Sequence, residues 1–303
     1  MKMSAAGIPQ RATQRARACF LEACALDVAV RKPGNVSRAS PGHGMTAEIF
    51  IASAEAASRP LFEAGASVGE RIEAATEATW AVAGCNTNLG IVLLCAPIAC
   101  AIDRRPDAAS AMALRTAIED VLAALGVVDA QAAYRAIARA SPGGLGTAPD
   151  EDVRQPPTVG LRAAMALAAD RDSIARLYRD GYGLLFEIGA ASLGAGFSLG
   201  VKERVPGVRT TAAVQRLYLS LLGSIADSHI VRIHGEAVAH TVMSAAQGWL
   251  ARACGSAEPD ADPEFAAWDD ALKAARINPG TTADLTVAAL LLAGLATPPR
   301  RAP

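Results

Sequence analysis

Along almost the whole chain, apolar residues recur every three to four positions, and nowhere do they alternate with period two for long enough to make a strand. That pattern admits helices packed on helices and little else. Hydrophobic residues make up 51% of the 303 and aromatics only 4%. The core is therefore left to Ala, Leu, Val and Ile, and the weight on alanine suits close helix contact better than sheet. The expected fold is all-α: one compact multi-helix domain over residues 13–296, with tails at 1–12 and 297–303. No repeat at a solenoid period stands out.

Charge and apolar run length narrow the function classes. A formal net charge of −1 with no basic stripe argues against a nucleic-acid partner. The apolar stretches GIVLLCAPIACAI and LTVAALLLAGLA fall short of the roughly 20 residues that a span needs, and Pro97 interrupts the first. The opening MKMSAAGIPQRATQRAR lacks the apolar core of a signal peptide. No membrane partner and a cytoplasmic location are expected. The six cysteines form no CxxC pair and mostly lie in apolar runs, as buried reduced thiols do. The alanine-rich helices would also suit a homodimer interface.

The punctuation between helices carries the chemistry. A first helix is expected over Thr13–Val30, ending ahead of Pro33, and a second from near Thr46. Others are expected over Glu63–Ala83, from the GCNTNLG turn to Ile102, over Asp107–Leu125 (ended by Gly126) and over Asp129–Ala140. The Gly- and Pro-rich connection Ser141–Gly160 is long enough to suggest a functional loop. Beyond it, helices are expected at Val159–Ala169, Asp172–Gly196, up to Ala226, Ser228–Ala253, Glu264–Ala275 and Thr282–Leu295.

Several of these interruptions are polar. RKPGNVSRASPGHG (Arg31–Gly44) holds three fixed cations, and no Asp or Glu occurs from Val28 to Ala47, which suits an anionic ligand. SHIVRIHGEAVAH holds three of the four histidines; on one continuous helix His229, Arg232, Glu236 and His240 would share a narrow arc beside Asp227. It lacks the HExxH zinc pattern, and Gly194-Ala195-Gly196 lacks the context of a dinucleotide fingerprint. NPGTTADL (Asn278–Leu285) reads as a helix entry with Thr281 and Asp284 at capping-box spacing, and it offers hydroxyls and a carboxylate at a positive helix end. GCNTNLG repeats that logic. Three polar entries to apolar helices look like walls of one pocket.

KPGNVSR, NTNLG, AADRDSIARLY, ADSHIVRIHG and NPGTTADL, in this order over about Ala18 to Leu295, resemble the triphosphoribosyl-dephospho-coenzyme A synthase family. The resemblance implies an all-helical, magnesium-dependent transferase. It would move the ribosyl triphosphate of ATP to 3′-dephospho-CoA and release adenine. Small-molecule nucleotides are then the partners, with ATP as substrate and Mg2+ as cofactor. The chain departs from the usual motifs: Asn86-Thr87-Asn88-Leu89-Gly90 replaces Asn-Thr-His-Lys-Gly, Asp27 stands where a Glu is usual, and Gly42-His43-Gly44-Met45 replaces acidic residues. It looks like a divergent branch.

Such a reaction needs cations and polar groups on the polyphosphate, hard oxygen ligands for a metal, and an acid and a base. The candidates for nucleotide binding are Lys32, Asn35, Ser37, Arg38, Asn86, Thr87, Asn88, Arg171, Arg232, Asn278, Thr281 and Thr282. For the metal they are Asp27, Asp152, Asp172 and Asp284; for catalysis, His229, His234, Glu236 and Asp227. Two alternatives stand beside this reading. One is a nucleotide-dependent enzyme making a methanopterin- or furan-type one-carbon carrier. The other is a non-catalytic nucleotide-binding protein on the same scaffold.

Overall fold

The structure, a computed structural model, describes residues 7–194, 197–199, 206–254 and 258–296. The expected helix end at Gly196 lies outside the described residues. In chain order the helices are α1 (Gly7–Ala29), α2 (Ala47–Leu61), α3 (Val68–Ala83), α4 (Leu89–Arg104), α5 (Ala111–Ala123), α6 (Val127–Ala140) and α7 (Leu161–Ala168). Then follow α8 (Ser173–Asp180), α9 (Gly183–Leu193), α10 (Val208–Ser224), α11 (Ser228–His234), α12 (Glu236–Cys254), α13 (Pro263–Ala274) and α14 (Gly280–Ala296). Among the described residues there is no strand, only isolated bridges Ser37–Ser40 and Gly42–Met45 inside the 31–45 loop. The all-α expectation holds.

Two helices, α4 and α14, are apolar on every side, and such helices belong in the middle of a core. They pack on each other; α1, α5 and α9 lie against both or beside them, and α2 and α3 wrap the α1–α4 side. Cys24, Cys95 and Cys100 are buried there, and burial pushes their thiols up in pKa, so they behave as inert small hydrophobes. A smaller cluster under α10–α13 is built on Phe265, with Trp249 edge-on to it at 5.0 Å. Among the described residues no helix is long and apolar enough to cross a membrane.

Three local outcomes differ from the sequence pattern, each for a physical reason. The expected helix Asp172–Gly196 is two helices, because Gly181 (φ 71°) and Tyr182 (φ 63°) are both left-handed. The expected helix Ser228–Ala253 also breaks, at Gly235 (φ 86°). Gly126 begins α6 rather than ending α5.

Pro97 is the opposite case, since α4 runs straight through it. Proline has no N–H to give to the carbonyl four residues back, here Leu93. The buried Tyr178 hydroxyl donates to that carbonyl at 2.6 Å, and Tyr182 donates to the next one, Leu94, at 2.9 Å. The two tyrosines seat the break between α8 and α9 on the proline turn.

Tyr178→Phe is expected to cost about 1–3 kcal/mol, because it removes the hydroxyl that replaces the missing Pro97 N–H at a buried acceptor. Tyr182→Phe should cost less, since the Ile98 amide still serves Leu94. Urea unfolding of the two variants, with unchanged m-values, measures the difference; equal costs would remove the proposed role of Pro97.

Candidate active site

The 31–45 loop is fixed by partners that come from far along the chain. Its Lys-Pro-Gly turn needs Gly34 at φ +82°, and a Cβ there would lie 2.7 Å from Pro279 Cδ and 3.0 Å from the Ile277 carbonyl oxygen. The turn therefore docks face to face on the Asn-Pro-Gly turn that starts α14. The fully buried Asp269 of α13 accepts from the Gly34 amide at 2.8 Å and pairs with Arg31 and Lys273. Tyr218 donates to the Pro33 carbonyl at 2.8 Å.

Lys32 is completely buried, and all its donors face the protein. Its Nζ gives hydrogen bonds to the Asp27 carbonyl (2.7 Å) and to Asn35 Oδ1 (3.0 Å), and lies 3.2 Å from the Asp27 carboxylate. Asn35 in turn donates from Nδ2 to Asn278 Oδ1 at 2.9 Å. Lys32 thus positions Asp27 and Asn35 and has nothing left for a phosphate.

These turns open on a cavity of about 680 Å³. Asp27, Asn35, Asn86, Thr87, Arg171, Asp172, His229, Arg232, Asn278, Thr281 and Asp284 line it, together with Asp152 from the 141–160 loop. The three polar helix entries do form walls of one pocket. Its other wall is apolar: Leu93 of α4, Ile137 of α6, Ala164 and Met165 of α7, and Ile174 of α8. The loop itself forms the cover and is tied down at several points. Asp152 takes the Arg154 guanidinium and the Ala148 amide, while Glu151 takes the hydroxyls of Thr158 and Tyr134. A Cβ on Gly144 (φ +72°) would meet Arg232 Cβ at 3.0 Å, so this glycine seats the cover on α11.

Several expected residues lie off the cavity wall. Lys32 and Asn88 are buried behind it, Ser37 is buried in the loop, and Arg38 is exposed. His234 turns away, its Nε2 3.1 Å from the Arg276 carbonyl. The shared arc of His229, Arg232, Glu236 and His240 does not exist, since the break at Gly235 puts the last two, both exposed, on a different helix. Asp227 and Thr282 form a buried joint: Asp227 caps α11 through the His229 and Ile230 amides and accepts both the amide and the hydroxyl of Thr282 at 2.7 Å. Among the cavity residues that escaped the sequence reading are His43 and Arg276. Both are non-glycine residues at positive φ, which no sequence pattern marks.

The carboxylates then sort by how many donors they already hold. Asp172 caps α8 through the Ile174 and Ala175 amides and pairs with Arg232 at 2.7 Å. Asp152 is saturated by its own loop. Asp27 and Asp284 remain. The Asp27 carboxylate has one buried oxygen with no hydrogen bond although Lys32 stands at ion-pair distance, and Asp284 receives no donor from the described residues. Burial raises the pKa of both, and for Asp284 the charges of Asp27 and Asp227 push it well above the usual carboxylate range. No three His, Cys, Asp or Glu side chains among the described residues form a metal cage. Two unsatisfied carboxylates facing one cavity still fit a divalent cation of the magnesium kind, which takes one or two carboxylates and fills its shell from phosphates and water.

Asp284 lies hard against the first turn of α4. A Cβ on Gly90 would be 2.0 Å from its Oδ2. Opposite, Arg232 gives one Nη to Asp172 and keeps a buried Nε without a partner. The His229 ring is bonded by no group among the described residues, and burial, then the Arg232 charge, lowers its pKa to about 4. It is a neutral imidazole at neutral pH.

Comparison with known proteins bears on the family and the fold. Residues 13–301 match the family model described as CitG, ATP:dephospho-CoA triphosphoribosyl transferase. The fold is similar to the crystal structure of a protein described as a triphosphoribosyl-dephospho-coA synthase from Archaeoglobus fulgidus, at TM-score 0.62 and 21% identity, covering 81% of this chain and 98% of that one. The comparison with curated proteins gives no match.

Gly90→Ala sets a helix-propensity gain of about 1 kcal/mol against the collision with Asp284, and the collision should win by about 1–3 kcal/mol. In an Asp284→Ala background the same substitution should be neutral or stabilising, a reversal that a double-mutant cycle in urea reads directly. For His229, the unfolded ring titrates near 6.5 and the folded one near 4, so between these values the unfolded chain binds more protons. Stability therefore falls as pH drops through that window. His229→Gln should flatten that part of the slope, and ring NMR should give a midpoint near 4.

Proposed function

The chain belongs to the ATP:dephospho-CoA triphosphoribosyl transferase family, which moves the ribosyl triphosphate of ATP to dephospho-CoA, and from that premise we propose that the cavity under the 141–160 loop is where this transfer takes place. The observation that carries the proposal is the meeting of two under-satisfied carboxylates, Asp27 with only the Lys32 ammonium beside it and Asp284 with no donor among the described residues, with a half-free arginine, Arg232, and a neutral His229 ring without a partner among them, in one pocket.

In this reading the ATP triphosphate lies along the polar wall, against Arg232 and the side chains of Asn86, Thr87 and Thr281 at the helix entries. Asp27 and Asp284 would hold the magnesium that travels with ATP; bound there, it would offset the charge of the polyphosphate. Lys32 acts one step back, by fixing Asp27 and Asn35. Glycosyl transfer joins the acceptor ribose oxygen to C1′ of the ATP ribose. The C1′–N9 bond breaks, and adenine leaves with its electron pair.

His229 is placed to take the proton of the attacking hydroxyl. A ring with pKa near 4 is a weak base, but anionic phosphate oxygens beside it favour the imidazolium and restore its basicity. The base is thus switched on by the donor substrate. The proton passes from there to a ring nitrogen of the departing adenine. Positive charge developing at C1′ would lie in the field of Asp27, Asp172 and Asp284 on the cavity wall, with Asp227 behind it, and the charges of the other three all act on Asp284. ATP as donor also fits a cytoplasmic enzyme.

Incubating the protein with ATP, dephospho-CoA and magnesium should release adenine in step with a product heavier by one ribosyl triphosphate. Asp284→Asn and His229→Gln should each lower kcat by about 100-fold or more, and EDTA should abolish turnover until magnesium is restored. Release of adenine by both variants at the wild-type rate would move the chemistry elsewhere.

A further inference from the structure

Resting on that reading, we propose that Arg171, Leu145, Leu167 and Ile233 form a subsite at the cavity mouth for the outer half of the acceptor, its diphosphate on Arg171 and its apolar pantoyl arm on the three aliphatic side chains.

Size is the first argument. Clefts of about 300–1,000 Å³ enclose one drug-sized ligand. A cavity of about 680 Å³ that would take the triphosphate and ribose of ATP has room for the reacting end of dephospho-CoA and not for its tail. The tail must cross the rim.

The rim is unusually apolar. Large aliphatic side chains exposed singly need no explanation, whereas a group of them does. Leu145 is 42%, Leu167 53% and Ile233 47% exposed, three of the nine exposed large hydrophobics among the described residues. Leu145 and Leu167 both line the cavity, and Ile233 follows the lining Arg232. Ile233 Cδ1 would lie 2.9 Å from a Cβ on Gly144, beside Leu145. The cover loop and α11 thus bring two of the three together, and α7 supplies the third.

Arg171 completes the match. It is exposed, lines the same cavity, and reaches the Leu167 carbonyl at 3.3 Å with one Nη, leaving its other donors free. Going from half-buried to exposed, the wall offers His229 and Asp284 first, then the Arg171 guanidinium with the aliphatic side chains beside it. Dephospho-CoA offers in the same order a ribose hydroxyl, a diphosphate and a gem-dimethyl group. A guanidinium next to apolar surface suits that alternation better than it suits the ATP triphosphate, for which Arg232 is deeper and closer to the carboxylates.

The test is calorimetric binding of dephospho-CoA and, separately, of ATP with magnesium, to wild type, Arg171→Ala and the double variant Leu167→Ser/Ile233→Ser. These are surface changes, and melting temperatures check that the fold survives. Dephospho-CoA should bind about tenfold or more weaker to each variant, with ATP affinity within about twofold of wild type. Unchanged dephospho-CoA affinity, or an equal loss for ATP, overturns the subsite. So does an apolar rim that serves a second copy of the chain: sedimentation would then lose a dimer in the double variant while dephospho-CoA binding stayed constant. Failure of the transferase reading looks different, as wild type that binds both nucleotides and releases no adenine.

Discussion

An alanine- and leucine-rich protein that buries carboxylates must give each one donors or leave it charged against its will, because desolvation of an unpaired carboxylate costs several kcal/mol. This chain meets that demand with the free amides of helix starts. Asp172 caps α8, and Asp227 caps α11 while holding the first turn of α14 through Thr282. Both therefore require these helices to begin close to one another, and the cavity is the space they begin around. Lys32 meets the demand of Asp27 in part, standing 3.2 Å from an Oδ1 that accepts no hydrogen bond. Asp284 is not met at all, and the tight backbone at Gly90 denies it an escape. The fold satisfies Asp172 and Asp227 completely and leaves Asp27 and Asp284 in deficit on the cavity wall.

The fold class was legible because 3.6-residue periodicity survives any local accident, while helix ends were legible only where the chain itself carries the signal. Ser67 with Glu70, a capping box, starts α3. The breaks at Gly181–Tyr182 and Gly235 are of another kind. A glycine inside a helical pattern costs only about 1 kcal/mol, so tertiary packing decides whether the helix continues. Pro97 misleads in the other direction: its repair comes from Tyr178, which lies far along the chain and in no local window.

The turns that make the site could be read, and the jobs of their residues could not. A loop with three cations and no carboxylate looks like an anion cradle from its own sequence. Its acids are present after all, Asp269 from α13 for Arg31 and Asp27 from α1 for Lys32. What looked like unspent positive charge is the internal bracing of the turn. The histidine helix shows the same thing in reverse, since His229 and Arg232 face the cavity while Glu236 and His240 were drawn in by a helix that ends before them. The 141–160 cover gave a correct hint by its length, and its internal pairs, Asp152 with Arg154 and Glu151 with Thr158, explain how an irregular segment can serve as a defined wall.

The departures from the usual family motif acquire a physical meaning in this setting. Where the resembled enzymes carry His-Lys, this chain has Asn88-Leu89. Asn88 is buried off the cavity with an unpartnered amide nitrogen, whereas Leu89 lines the cavity at the start of α4, next to the glycine that confines Asp284. A lysine there would bring a fixed positive charge to the wall that carries the least satisfied carboxylate. With leucine, that compensation is absent, and the remaining cation of the inner cavity, Arg232, already serves Asp172. The electrostatic deficit around Asp27 and Asp284 is therefore deeper than it would be with a lysine at position 89.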